Sequence, residues 1–124
     1  MTRVYLADAH FEERLALHLV FLDLDMLVVG EAEDWPTTLA QAPATRLDIL
    51  LVEWNLLPDC LGEQSISALR LACPNAIVVF LISLLNDPDR AVFSSGADAF
   101  ISKGESPERV TIRLRALADG IVLN

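Results

Sequence analysis

The chain has 124 residues, of which 53% are hydrophobic, and this length suits a single domain with one core. Its formal net charge of −9 would repel a phosphate backbone, so we expect no nucleic-acid binding by this segment. The longest apolar run, residues 76–82, is too short to cross a bilayer, and the N-terminal residues do not resemble a signal peptide. We therefore expect a cytoplasmic protein that does not enter a membrane. Cys60 and Cys73 lack metal-ligand spacing and are expected to be thiols.

Short apolar runs alternate with amphipathic stretches along the chain, and they predict strands and helices respectively. In chain order the predicted elements are strand Arg3–Ala7, helix Phe11–Leu24, strand Met26–Ala32, helix Thr37–Ala42, strand Leu47–Val52, helix Glu63–Ala72, strand Ala76–Ile82, helix Asp89–Ser95, strand Ala99–Ser102 and helix Glu108–Ala118. Five strands that alternate with five helices predict an α/β domain whose parallel sheet is covered on both faces.

Residues at the helix boundaries agree with this pattern. Asn86-Asp87-Pro88 and Ser106-Pro107-Glu108 are typical helix starts, the second with proline in the first turn. Gly96 and Gly120 lie where helices are expected to end.

The first predicted helix carries two apolar stripes. We expect the first stripe to face the sheet; it consists of Phe11, Leu15, Leu19 and Leu22. The second stripe would then be a protein contact surface, formed by Leu17, Val20, Phe21 and Leu24. The alternative is that the last helix covers it with Val110, Leu114 and Leu117.

Three segments of the chain resemble the motifs of bacterial response-regulator receiver domains. They are Leu6-Ala7-Asp8-Ala9-His10, the stretch from Asp48 to Asn55, and the stretch from Gly96 to Lys103. The resemblance covers nearly the whole chain and is closest to the subfamily with a LuxR-type helix-turn-helix output domain. It implies that residues 1–119 form the receiver-like domain and that residues 120–124 begin a linker toward such an output domain.

The resemblance also implies a flavodoxin-like sheet with strand order 2-1-3-4-5. In such a sheet, ligands bind at the carboxyl ends of the strands where the strand order reverses, here between strands 1 and 3. Asp8 and Glu53 follow these two strands, and Lys103 follows strand 5. We therefore expect an acidic crevice in which Lys103 meets Glu53.

Departures from the family pattern decide the functional prediction. A working receiver has two adjacent acids after strand 1, which hold Mg²⁺ together with an acceptor aspartate. This chain has Ala9 at the second of these positions and Glu53 at the phospho-acceptor position. The position of the hydroxyl that contacts the phosphoryl group falls on Leu81, and Ser83 is the hydroxyl candidate nearby. Because Mg²⁺ depends on carboxylate oxygens in near-octahedral geometry, we expect weak or absent Mg²⁺ binding.

The remaining candidates are less specific. We expect no metal ligands in this chain; Asp8, Glu53 and Asn55 are only weak candidates. Phe100 occupies the aromatic switch position of the family, although a strand aromatic is equally a core residue. Trp54 predicts a contact surface only if it is exposed. His10 and His18 have no evident ligand partners and are expected to be structural or solvated.

The sequence thus predicts a signalling domain, not an enzyme, that acts by protein–protein contact without conventional aspartyl phosphorylation. Its partner would be a second copy or a regulatory protein, and DNA would be bound only through an output domain. The first alternative is a conventional phosphorylatable receiver with a non-standard acceptor. The second is a flavodoxin-like cofactor binder, which is disfavoured because the residues after strand 1 offer no glycine- or hydroxyl-rich phosphate loop.

Overall fold

The computed structural model describes residues 1–58, 63–83 and 96–120. Its strands are β1 (Arg3–Ala7), β2 (Leu27–Ala32), β3 (Ile49–Glu53), β4 (Ile77–Ile82) and β5 (Ala99–Ser102). They form one parallel sheet in the order β2-β1-β3-β4-β5, as predicted. The helices of the described residues are α1 (Phe11–Asp23), α2 (Trp35–Gln41), α3 (Glu63–Ala72) and α4 (Pro107–Ala118).

Most predicted boundaries are confirmed within about two residues. The strand β3 begins two residues later than predicted and continues through Glu53, which pairs with Leu81 of β4. The helix predicted at Asp89–Ser95 lies outside the described residues. Within the described ranges, no helix is long and apolar enough to cross a membrane.

Capping residues explain where two of the helices begin and where one ends. The Asp34 side chain accepts a hydrogen bond from the Thr37 backbone at the start of α2. Ser106 does the same at the start of α4, followed by proline in the first turn. After α4, Gly120 adopts a φ of +76°, a left-handed conformation that glycine permits without strain and that commonly ends helices.

The core lies on both faces of the sheet, because the inner strands alternate their side chains between the two helical layers. One apolar cluster joins the sheet to α1 and α4 and includes Leu6, Leu51, Ile101, Phe21 and Leu114. The other joins it to α2 and α3 and includes Tyr5, Leu50, Phe80, Ile66 and Leu69. The buried runs of β1, β3 and β4 are therefore almost uniformly apolar, as expected for a parallel sheet covered on both sides.

The prediction of which stripe of α1 faces the sheet was wrong. The predicted interface residues face the core: Phe21 and Leu24 are buried, and Leu17 and Val20 pack against the same cluster. The alternative is the one observed, because Val110, Leu114 and Leu117 belong to this cluster as well. The stripe that was expected to face the sheet is exposed instead, with 65% exposure for Phe11, 52% for Leu15, 61% for Leu19 and 71% for Leu22.

Arg14 explains the reversed orientation of α1. It lies on the inner stripe, three residues before Leu17 and seven before Phe21, and it is buried. A charged residue on this stripe makes it look like the less apolar of the two. Arg14 nevertheless faces inward because its guanidinium hydrogen-bonds the Asp8 carbonyl oxygen and the Glu31 carboxylate.

Candidate functional site

The carboxyl ends of β1, β3 and β5 bring three predicted site residues into one crevice. The strands β1 and β3 are adjacent and in register, with Ala7 opposite Val52, so the residues that follow them lie side by side. Asp8 and Glu53 are both buried there, with exposures of 1% and 3%. Lys103 follows β5, where its backbone N–H donates to the Ile82 carbonyl oxygen.

Lys103, the single lysine of the chain, joins two carboxylates of the crevice. Its Nζ donates to Glu53 Oε2, so the predicted contact between these residues is present. The same Nζ lies 3.1 Å from Glu13 Oε1 and 2.8 Å from Glu13 Oε2. Burial alone would lower the pKa of Lys103, but the hydrogen bonds to Glu13 and Glu53 outweigh it and raise the pKa above its ordinary value.

Asp8 is the acid of the site with the raised pKa. Its Oδ1 accepts a hydrogen bond of 2.8 Å from the His10 backbone N–H, and its carboxyl group also shares a hydrogen bond with the Glu13 side chain. Burial, followed by the neighbouring Glu13 and Glu53 carboxylates, raises the pKa of Asp8 to about 7. Burial would also raise the pKa of Glu13, but the Asp8 and Lys103 contacts hold it below its ordinary value.

Arg14 fixes the end of β1 at the crevice. One guanidinium nitrogen donates to the Asp8 carbonyl oxygen at 2.6 Å, and Nε donates to Glu31 Oε1 at 2.9 Å. Glu31 also contacts the His18 ring, and this hydrogen bond is the largest of the effects that lower the pKa of Glu31. His18 is therefore part of a structural ion-pair network on β2 and α1, in agreement with its predicted structural role.

Sequence reasoning missed Glu13, and it did not place the solvated His10 near Glu53. His10 Nε2 lies 3.8 Å from Glu53 Oε2, and its side chain is 63% exposed. One potential ligand atom from each of Asp8, His10, Glu13 and Glu53 lies within 4.8 Å of every other. The only signal in the sequence is position: both residues follow Asp8 closely, at the turn into α1 and in its first turn, where side chains can reach back over the end of β1.

The crevice does not fit the Mg²⁺ site that the family resemblance implies. Asp8 and Glu53 are available, but Ala9 offers no oxygen ligand in its side chain, and the Lys103 ammonium contacts Glu53. Asn55, a weak metal candidate, is exposed. The potential ligands that lie together are the group of four named above. An imidazole completes that group, whereas Mg²⁺ takes oxygen ligands and retains water.

The other predicted site residues have structural surroundings. Leu81 lies opposite Glu53 in the sheet and belongs to the apolar cluster beneath α1 and α4. Ser83 is exposed just after β4. Phe100 stacks on Phe80 with ring centroids 6.4 Å apart, so its core role is supported and its switch role stays a prediction. Trp54 packs edge-on against Phe80 at 5.0 Å and is therefore not the exposed contact residue considered above.

Comparisons with known proteins agree with this geometry. No protein-family model matches the chain. The chain is 32% identical over 122 residues to the uncharacterized transcriptional regulatory protein YxjL of Bacillus subtilis, a match that covers 95% of this chain and 55% of that protein. It is 28% identical over 120 residues to the nitrate/nitrite response regulator protein NarP of Escherichia coli, again over 95% and 55%. The chain thus spans about half the length of these curated relatives.

A solved structure with the same fold is the isolated receiver (REC) domain of RcsB from Salmonella enterica serovar Typhimurium. The two chains superpose with a TM-score of 0.84 at 21% sequence identity, over 98% of this chain and 91% of the other. At this identity the likeness shows a shared fold, and the two curated relatives add the sequence relationship. The chain is a receiver domain of the response-regulator family.

Proposed function

We propose that this receiver domain is an atypical one, a pseudo-receiver, which regulates by protein contact without conventional aspartyl phosphorylation. The observation that carries the proposal is the ion pair between Glu53 and Lys103, which joins β3 to the end of β5. A glutamate at the acceptor position thus already engages the lysine that would otherwise meet a phosphoryl group. The role is regulatory and not enzymatic.

The charge of Glu53 limits how closely this residue can imitate a phosphorylated aspartate. Glu53 brings one negative charge to Lys103, whereas a phosphoryl group brings about −1.5 to −2. The Glu53 contact is therefore a fixed and partial equivalent of the activated state. Lys103 also contacts Glu13, so the lysine is shared between α1 and β3 instead of being held by the acceptor alone.

The surrounding chemistry argues against self-phosphorylation. Ala9 removes a carboxylate from the metal site, and the pKa of Asp8 near 7 leaves that carboxyl partly protonated at neutral pH. Mg²⁺ binding should therefore be weak or absent at physiological concentrations. Leu81 presents an apolar side chain opposite Glu53, where a hydroxyl would be needed to contact the phosphoryl group.

The test is incubation with acetyl phosphate and Mg²⁺, followed by mass spectrometry of the intact chain. We expect no stable mass increase by a phosphoryl group, because both the metal ligand and the nucleophile are altered. A receiver domain that has both adjacent acids after strand 1 and the acceptor aspartate, treated in parallel, is the positive control. A stable adduct mapped to Glu53 would contradict the proposal.

The partner contact that we propose is self-association through the outer face of α1. Four exposed apolar residues form this outer stripe, namely Phe11, Leu15, Leu19 and Leu22. The helix also carries acids and has no basic residue in its last turn. On the same side of the sheet, α4 exposes Ile112 between Arg109 and Arg115. A second copy that sets its α4 against this α1 would cover apolar groups and match basic with acidic residues.

Leu19→Glu is expected to weaken this self-association about ten-fold or more, because it places a charge at the centre of the outer stripe. Sedimentation velocity over a range of protein concentrations measures the effect. Leu71→Glu is the matched control, since Leu71 is 85% exposed on α3, in the other helical layer. A wild-type chain that stays monomeric at high concentration, or equal behaviour of the two variants, would contradict this surface.

The proposal extends to the longer protein of which this chain would be one part. YxjL is described as a transcriptional regulatory protein, and this chain matches about half of it. We propose that residues 1–119 are the receiver part of a cytoplasmic regulator and that any DNA contact is made by an output domain that follows residues 120–124.

A further inference from the structure

We propose that the cleft between α1 and α4 is a binding site for a small organic cation, namely a primary amine attached to an apolar body. The cleft has a volume of about 240 Å³ and lies over the carboxyl ends of β4 and β5. It lies beside the crevice that holds Asp8 and Glu53, and neither of these two acids lines it. The proposal goes beyond the proposed function, because it requires neither phosphorylation nor self-association.

The floor and the walls of the cleft are apolar. Leu81 and Ile101 form the floor, and both are buried in the sheet. Leu17 and Val20 of α1 and Val110 of α4 form the walls. Leu17 and Val20 are only half-buried there, so part of their apolar surface faces water. An apolar ligand body between the two helices would remove this surface from water, which favours binding.

Glu105 brings a carboxylate oxygen without a partner to this apolar surface. Its Oε1 accepts a hydrogen bond from the Arg113 guanidinium, whereas Oε2 is buried and has no hydrogen-bond partner among the described residues. The Glu105 side chain is 16% exposed and lines the cleft. A buried carboxylate oxygen that lacks a donor costs free energy, and the ammonium group of a ligand would supply that donor.

The charges around the cleft favour a cation over an anion. Two acids and one lysine line it, namely Glu13, Glu105 and Lys103. When their ion-pair partners Glu53 and Arg113 are included, three carboxylates face two cationic groups. Lys103 is already held by Glu13 and Glu53, so an anionic ligand would have to displace one of these glutamates. A cation at Glu105 leaves both contacts of the lysine in place.

The volume of the cleft restricts the ligand to a small molecule. A water molecule occupies about 30 Å³ in the liquid, and a carbon atom with its hydrogens is of similar size, so the cleft holds roughly eight non-hydrogen atoms. Phenethylamine and hexylamine are amines of this size. A ligand of this kind would contact α1 and α4 at the same time. Amine binding would give the receiver an input to these two helices that needs no phosphoryl group.

Titration of the full chain with phenethylamine tests the proposal, with the amide chemical shifts in NMR spectra as the readout. We expect saturable shifts at the cleft and a Kd of about 1 mM or lower. Phenethyl alcohol and phenylpropionate are the matched probes, because they keep the ring and replace the ammonium with a neutral or an anionic group. Both should bind about ten-fold more weakly or worse.

Glu105→Gln tests the residue that recognises the ammonium group. This variant should weaken phenethylamine binding about ten-fold and remove the preference over phenethyl alcohol, while its amide oxygen can still accept a hydrogen bond from Arg113. Glu108→Gln is the matched control, since it makes the same change of net charge at an exposed position in the first turn of α4. The control should bind phenethylamine like the wild-type chain.

Ala16→Trp tests the apolar part of the site. Ala16 is exposed on α1 and lines the cleft, so a tryptophan there would fill the cleft from the solvent side and should abolish binding. Ala40→Trp is the control, because Ala40 is exposed on α2 in the other helical layer. Melting temperatures of the variants report whether they fold.

Four results would overturn the proposal. They are no saturation by phenethylamine below about 10 mM, binding of phenylpropionate as tight as that of the amine, equal effects of Glu105→Gln and Glu108→Gln, and unchanged binding by Ala16→Trp.

Discussion

Replacing Asp8 with asparagine is expected to stabilise the domain at pH 8 by roughly 2–4 kcal/mol. The wild-type carboxyl is buried beside Glu13 and Glu53, and these surroundings raise its pKa from the ordinary 3.8 to about 7. Asparagine carries no charge, retains an oxygen for the His10 N–H, and offers an amide N–H toward the Glu13 carboxylate. Removal of the repulsion should therefore exceed any loss of packing.

The gain should depend on pH in a defined direction. The pKa of Asp8 is higher in the folded state than in the unfolded state, so the contribution of this group to stability is fully present below pH 3.8 and is lost as the pH rises through about 7. The asparagine variant has no such loss. The difference in the free energy of unfolding should thus be small near pH 4 and reach its maximum above pH 8.

Urea denaturation between pH 4 and 8, in buffer that contains a chelator, measures this difference. Glu33→Gln is the matched control, because it removes one acid at an exposed position after β2. The control should change the free energy of unfolding by less than about 0.5 kcal/mol. A destabilised Asp8→Asn variant at pH 8, or a gain that does not vary with pH, would contradict the assignment.

The fold could be predicted because the sequence patterns have a direct physical cause. Runs such as Leu47–Val52 are apolar on both faces, which is what a parallel strand between two helical layers requires. Capping residues such as Ser106 mark where a helix can satisfy its free N–H groups. The strand order itself came from the family resemblance and not from periodicity.

The faces of α1 could not be predicted from periodicity alone. Both stripes of the helix are apolar, so the pattern does not distinguish the stripe that faces the sheet. The deciding interactions are two hydrogen bonds of Arg14, one to the Asp8 carbonyl oxygen and one to Glu31 on β2. Hydrophobic periodicity cannot predict contacts of this kind, and they place a charged residue on the inner face of the helix.

Two acids and the lysine of the candidate site were predicted, but its full composition was not. Asp8, Glu53 and Lys103 were found because each stands in a family motif at the end of a strand. His10 precedes α1 and Glu13 lies in its first turn, where the direction of a side chain depends on how the chain enters the helix. Their proximity to Glu53 therefore became visible only once β1 and β3 were placed side by side.

Restoring the acceptor alone should not restore phosphorylation. Glu53→Asp shortens the side chain by one methylene and returns the usual nucleophile, but Ala9 still supplies no carboxylate for Mg²⁺. The aspartate would also retreat from Lys103, so the ion pair that joins β3 to the end of β5 would weaken. We expect no detectable phosphoryl adduct for this single variant with acetyl phosphate and Mg²⁺.

The double variant Glu53→Asp with Ala9→Asp is expected to gain a phosphoryl group, at a level about ten-fold or more above the single variant. Ala9 is exposed, so an aspartate can be placed there without disturbing the core. Together with Asp8 it would provide the two adjacent acids that a metal needs. Leu81 remains opposite the acceptor and offers no hydroxyl, so the adduct should form more slowly than in a typical receiver.

Intact-mass spectrometry over time, with and without Mg²⁺, measures the adduct of the double variant. Glu53→Asp with Ala9→Asn is the matched control, because it has nearly the same shape without the added charge. The adduct should require both the carboxylate that Ala9→Asp introduces and the Mg²⁺ ion. Rapid phosphorylation of the Glu53→Asp single variant would show that the metal site is intact without a second acid, and it would remove the main chemical support for an atypical receiver.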